Sequence, residues 1–142
     1  MNKRLLHKDV FMPGIIIKAV NSLINNFKSY YFSKHLKDRL ADTNKDRSHN
    51  YLESSILKTL NNIKESAKDI FEVELTEINN KWYVTKYCFR ADLNNKEDIV
   101  IAIRPQLDNG HYIYNDLIVT AWINSRDDSH QTLDFSKYDT EL

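Results

Sequence analysis

The sequence predicts a single soluble α+β domain, with helices first and an antiparallel sheet of about four strands after them. Three observations predict it. Apolar residues recur at helical spacing in the first half of the chain, the apolar period changes to two from Asp69 onward, and the later runs are joined by short turns. Short turns favour antiparallel neighbours, and segregated helices and strands favour α+β over α/β.

The chain has 142 residues, which fits one domain, and its hydrophobic fraction of 42% suffices for one core. Pro13–Gly14 opens the first helix, and Ile16, Val20, Leu23, Ile24 and Phe27 follow at helical spacing. Tyr30, Tyr31 and Phe32 are locally extended or end that helix. Ser33 caps a short second helix through Leu40, with Leu36 and Leu40 on its buried stripe. Ala41–His49 is polar and reads as a loop. Asn50 and Glu53 form a capping box for a long amphipathic helix marked by Leu52, Ile56, Leu60, Ile63 and Ala67.

From Asp69, Phe71, Val73 and Leu75 alternate with Glu72 and Glu74. Asn79–Asn80 makes a turn, and Lys81–Ala91 continues as a strand with Tyr83, Tyr87 and Phe89 on one face. Asp92–Asp98 is a polar turn. Ile99–Arg104 is nearly all apolar and therefore central. Pro105–Gly110 turns the chain into a last strand, Tyr112–Asn124, bulged near Asn115–Asp116. Leu133, Phe135 and Tyr138 are anchors in a polar tail.

Composition narrows the function classes. No apolar run approaches the roughly 18 residues of a membrane span. The basic start MNKRLLHKDVFMPG leads into no long apolar segment, so neither a membrane partner nor a signal peptide is expected. Cys88 is the lone cysteine, so no internal disulfide can form and a reducing, cytoplasmic compartment fits. Lysine plus arginine equals aspartate plus glutamate, 20 each, which argues against gripping nucleic acid by bulk charge. A few placed cations remain compatible with it. Lys28, Lys34, Lys37, Arg39, Lys45 and Arg47 outnumber Asp38, Asp42 and Asp46 around the short helix, enough to steer one strand.

The common strong motifs are missing: no phosphate-binding glycine loop, no CxxC and no HExxH. Asp127 and Asp128 beside His130 read as a solvated acidic loop, and Cys88, mid-strand between two aromatics, as a packed residue. Two segments carry candidate chemistry. In SKHLKDRL, His35 and Arg39 lie four apart and share a helical face beside the apolar stripe. The plain alternative is an amphipathic helix with a surplus histidine. In TAWIN, Thr120, Trp122 and Asn124 project to one side of a strand, opposite Val119, Ala121 and Ile123. A hydroxyl, an indole and an amide on one face suit the wall of a cleft, or an edge strand facing water.

Taken together, the SKHxxxRL helix, the longer helix after it, CFRAD, DIVIAI and the terminal TAWINSxDDxHxTLDxSKY resemble the barnase–EndoU–colicin–RelE-like ribonuclease superfamily, in its phage and polymorphic-toxin members. The resemblance runs from Phe32 to Tyr138, so residues 30–138 would form the nuclease-like core and residues 1–29 an N-terminal helix extension. It implies helices on one face of a curved antiparallel sheet and RNA cleavage by ribose 2′-OH attack on the adjacent phosphate, with no metal and no cofactor. It makes His35 and His130 the proton carriers, with Thr120 and Asn124 donating to phosphate or ribose. Arg39 and Arg90 would hold the scissile phosphate and Trp122 would stack on a base. RNA is the implied substrate, with a cognate antitoxin or immunity protein as a further partner. A non-catalytic binding module of the same fold, such as an immunity protein, antitoxin or phage adaptor, also accommodates the neutral charge. A metal-dependent nuclease would use Asp127, Asp128 and Asp134.

Overall fold

The structure, a computed structural model, describes residues 2–42, 51–126 and 134–141. Strand β1 (Lys3–His7) comes first, then helix α1 (Gly14–Asn25), β2 (Ser29–Phe32), α2 (Lys34–Ala41), α3 (Leu52–Asn61) and the one-turn α4 (Ile63–Ser66). Strands β3 (Asp69–Ile78), β4 (Lys81–Asp92) and β5 (Glu97–Arg104) follow. A small hairpin, β6 (Leu107–Asp108) and β7 (His111–Tyr112), leads into β8 (Asn115–Ser125), and Phe135–Lys137 forms a 3-10 turn.

The α+β class is as expected, but the sheet is larger than four strands and is mixed. Its six strands run in the order β1-β3-β4-β5-β8-β2. All pairs are antiparallel except β2 with β8. The two unexpected strands are short and follow no alternation: β1 sits in a charged lead, and β2 contains the aromatic Tyr30, Tyr31 and Phe32, extended as one of the two readings of that segment had it. Residues 1–29 thus supply a strand of the sheet, and α1 buries Val20, Leu23 and Ile24 in the common core.

Local chemistry accounts for most element ends. The Ser33 hydroxyl accepts from the Leu36 N–H at 3.0 Å and donates to the Val119 carbonyl at 2.6 Å. One side chain therefore caps α2 and fixes it to β8. The expected long helix breaks at Asn62, whose backbone (φ −131°, ψ 35°) is not helical. Its proposed cap, Asn50, lies outside the described residues, and Tyr51 holds the N-cap position. Asn79 and Asn80 both take positive φ, as do Asn109 and Gly110, giving two-residue hairpin turns whose twist suits the flanking strands. Strand β8 starts at Asn115 because Tyr114 is left-handed (φ 53°); its carbonyl accepts from the Ser29 N–H and so seats β2.

One face of the sheet is covered by helices. There Leu36, Ile56 and Leu60 meet Phe89, Ile101 and Ile118, each buried and worth roughly 1.5–3 kcal/mol. Bulges decide which side chains join them. The β3–β4 register shifts between Ile70 and Glu72, and again between Glu74 and Leu75. Phe71 and Tyr83 therefore leave the core side that simple alternation assigns them. The β8 bulge falls at Val119, not near Asn115–Asp116, so that Ile118 and Ala121 both face the core. The outer edge of β1 is closed by the chain end: the Asp139 N–H donates to the Leu5 carbonyl at 2.9 Å, and the Leu5 N–H to Asp139 Oδ2 at 3.1 Å.

Asp116 is buried at 2% exposure, and that burial pushes its carboxyl up to about 6 from 3.8, against an opposing hydrogen bond from the Gln106 backbone. A carboxyl with a raised folded pKa binds its proton more tightly in the folded state, so its contribution falls as pH rises from about 4 to about 6. Asp116→Asn should flatten that limb and raise stability at pH 7.5 by on the order of 2 kcal/mol. Urea unfolding at pH 4 and pH 7.5 measures it; a variant less stable than the parent at pH 7.5 would contradict the assignment.

Candidate functional site

Among the described residues the other sheet face carries no α-helix, and strand register arranges its side chains in cross-strand rows. Asp69, Arg90, Val100 and Trp122 make one row, on β3, β4, β5 and β8. Glu72, Cys88, Ala102 and Thr120 make the next. Asp92, Asp98 and Asn124 form a third at the end of the sheet. Val100, Ala102 and Cys88 are buried, and form a small apolar floor with charged and aromatic groups around it.

The carboxylates of this face are matched with cations one by one. Glu72 takes Lys86 at 3.8 Å, Glu74 takes Arg104 at 3.6 Å and Asp69 takes Lys8 at 2.7 Å. Arg126 donates to Asp98 at 2.8 Å and to Asp92 at 2.9 Å. Arg90 is the cation left over. Its guanidinium lies 4.8 Å from the Phe71 ring centroid, its Nε is buried without a hydrogen-bond partner, and no ion pair is recorded for it among the described residues. A half-buried guanidinium with unused donors is suited to a phosphate or carboxylate ligand.

The platform under Arg90 is built by the two ends of the chain. Phe71 meets the His7 ring at 5.9 Å, and His7 is also packed by Phe135 at 5.8 Å and Tyr138 at 4.9 Å. Burial lowers the His7 pKa, and its Nδ1 accepts from the Asp9 N–H at 3.1 Å, a bond only the unprotonated nitrogen can make. The Tyr138 hydroxyl donates to Glu72 at 2.6 Å and the Cys88 thiol to the same carboxylate at 3.5 Å. Burial, then Glu72, push that thiol up to about 12, so it is a packed group and no nucleophile near neutral pH.

The sequence-predicted residues divide between two places. Thr120, Trp122, Asn124 and Arg90 share the helix-free face, and the first three alternate with Ala121 and Ile123 as expected. His35 and Arg39 are exposed on α2, which inserts Leu36 into the core on the helix side. Among the described residues no hydrogen bond or ion pair joins His35 to Thr120. His130, Asp127 and Asp128 lie outside the described residues. Among the described residues no group of three or more His, Cys, Asp or Glu could hold a metal ion, and no helix is long and apolar enough to cross a membrane. Sequence reasoning missed Lys86, Arg104 and Arg126. Lys86 and Arg90 share even positions with Cys88, a signal that was available. The bulges that place Phe71 and Tyr83 with them left no trace in the alternation.

Comparison with known proteins finds no matching family model, no matching curated protein and no matching solved structure.

Tyr138→Phe removes one donor to Glu72 and leaves the ring contact with His7. It should lower stability by about 1 kcal/mol. A shift in the urea midpoint at constant slope checks this, and an unchanged midpoint would mean the hydroxyl bond contributes nothing.

Proposed function

We propose that this chain is a metal-independent endoribonuclease, of the toxin-like or phage-encoded kind, that lays an RNA strand across the helix-free face and acts in the cytoplasm. The observation that carries this reading is the surplus guanidinium of Arg90, in one cross-strand row with Trp122. One offers charge-assisted donors to a phosphate, and the other offers a ring face to a base. The row spans two strand spacings, about 10 Å, which one to two nucleotides can bridge. Resemblance of the terminal segment to the barnase–EndoU–colicin–RelE-like superfamily points the same way.

In the reaction, the ribose 2′-oxygen attacks the adjacent phosphorus and the bond to the 5′-oxygen breaks, leaving a cyclic phosphate and a free 5′-hydroxyl. A base removes the 2′ proton and an acid delivers one to the leaving oxygen. His130 is assigned one of these transfers, since an imidazole can serve either proton role; His35 and Arg39 stand on the helix side of the sheet, away from this row. Arg90 holds the phosphate, while Thr120 and Asn124 donate to phosphate or ribose.

A second reading, RNA or protein binding without catalysis, is favoured by one observation. Glu72 and Glu74, the carboxylates nearest the floor, already accept hydroxyl hydrogen bonds from Tyr138 and Thr85 and face cations. Neither is left as a free base. An antitoxin, immunity protein or adaptor would need none.

Incubating the purified protein with total RNA in excess chelator separates the readings. Cleavage is expected. Arg90→Ala should reduce it about 10²–10³-fold and His130→Ala about 10²–10⁴-fold, with folding retained by circular dichroism. Binding without cleavage across pH 5–9 would favour the module, and full activity in His130→Ala would defeat that assignment.

A further inference from the structure

The sheet ends in an open edge at β2, the last strand in its order. The Ser29 and Ser33 N–H groups donate toward β8, to the Tyr114 and Ile118 carbonyls at 3.2 and 3.0 Å. Their hydroxyls fasten the same side, Ser29 Oγ to the Tyr114 carbonyl at 3.0 Å and Ser33 Oγ to the Val119 carbonyl at 2.6 Å. Alternate residues of a strand turn their main-chain groups to opposite sides, so Tyr30 and Phe32 present N–H and C=O away from β8. Among the described residues no backbone group takes these up. The opposite edge, at β1, is covered by Asp139. Along the open edge, Lys28-Ser29-Tyr30-Tyr31-Phe32-Ser33-Lys34 reads nearly the same in both directions, with an exposed lysine at each end.

Neither lysine has an ion pair recorded among the described residues. Three carboxylates lie near them. Asp38 follows Lys34 by one turn of α2 without pairing with it, and Asp116, the register partner of Tyr30, is buried behind that residue. Glu65 stands in a groove of about 430 Å³ beside the edge, where Lys28 and Lys64 outnumber it. The edge itself carries two cations and no acid. That pattern guards against a second copy of this chain. Antiparallel pairing of two β2 edges in full register would set each Lys28 opposite a Lys34, and like charges directly opposite destabilise a strand pair.

We propose that the β2 edge accepts an extended segment of a partner protein, acidic at both ends of a short alternating run, as an added strand of the sheet. Main-chain bonds to Tyr30 and Phe32 supply affinity, and the two lysines, about 20 Å apart along an extended chain, select the acidic ends. Apolar side chains on the helix side of the added strand enter the groove against Phe27, Tyr30 and Leu60. Arg90 lies on β4, three strands in from this edge, so occupancy of the edge does not depend on RNA at the open face.

The probe is a blocked, fluorescently labelled peptide of alternating threonine and valine with glutamate at both ends, titrated with the full chain and read by anisotropy. It should bind, and the same peptide with lysine at both ends should bind about tenfold more weakly. Methylating alternate backbone amides of the probe, so that they cannot donate, should also cost about tenfold. The double variant Lys28→Glu, Lys34→Glu should reverse the preference between the two peptides. Lys58→Glu with Lys81→Glu, the same charge change at exposed lysines elsewhere, should not reverse it. Circular dichroism checks that each variant is folded. Equal binding of the two peptides, or full binding of both methylated forms, would overturn the proposal, as would no binding of the acidic peptide at about 1 mM. Sedimentation of the chain alone as a dimer that the peptide dissociates would give the edge to a second copy instead, and displacement of the peptide by an RNA tetranucleotide would give it to RNA.

Discussion

Strand β5 is buried on both sides, and the rest of the molecule is arranged around that constraint. Ile99, Ile101 and Ile103 meet the helices, while Val100 and Ala102 form the floor of the opposite face. A strand with no solvated side must be central, with full ladders on both flanks, and it has β4 on one and β8 on the other. Small residues at Val100 and Ala102 keep the floor shallow. The long side chains of β4 and β8, Arg90 and Trp122 among them, then stand as walls over it. A large residue at Ala102 would fill the floor between its neighbours Cys88 and Thr120 and raise it.

Given that floor, charge on the open face is costly unless it is matched. On this face Asp69, Glu72, Glu74 and Asp98 each have a cation within 4 Å, and Glu72 and Glu74 also accept hydroxyl hydrogen bonds. Matching of this kind contributes little net stability, because desolvation offsets most of the attraction. Its effect is on specificity of place: with the acids of this face matched, Arg90 is the guanidinium of the face with no ion pair among the described residues. The chain's zero net charge conceals this. A neutral molecule can still hold a positive spot if its negative charges are each neutralised next to it.

The helix-and-sheet architecture was legible in the sequence where a period ran long enough to be read. Ser33 as a cap, the Asn79–Asn80 turn and the buried β5 all follow from local chemistry. The strands β1 and β2 did not, because four or five residues give too little alternation and their pairing is decided by distant partners. The candidate site was half legible. Thr120, Trp122 and Asn124 share a face by parity alone, but the bulge at Val119, which turns Ile118 to the core side, is visible only in the pairing with β5. The aromatic cage around His7 joins residues more than 120 positions apart in the chain, as in its contacts with Phe135 and Tyr138. No local pattern encodes such a meeting.

Arg90 shows how the bulges and the charge pattern act together. If β3 alternated regularly, Phe71 would sit in the core and Arg90 would have no platform. The register shift between Ile70 and Glu72 turns the ring outward instead, against His7 on one side and under the guanidinium on the other. A ring contact of this kind is worth about 0.5–2 kcal/mol, whereas a buried donor left without a partner costs about 1–3 kcal/mol. The two roughly cancel, so Arg90 contributes little or nothing to folding where it stands. A residue that stability alone shaped there would be a methionine or leucine, with the same stem and no donors to satisfy. The balance changes only when an anion arrives: the unused donors are then satisfied, and the ring contact fixes the guanidinium in advance. The position therefore makes physical sense for binding far better than for stability.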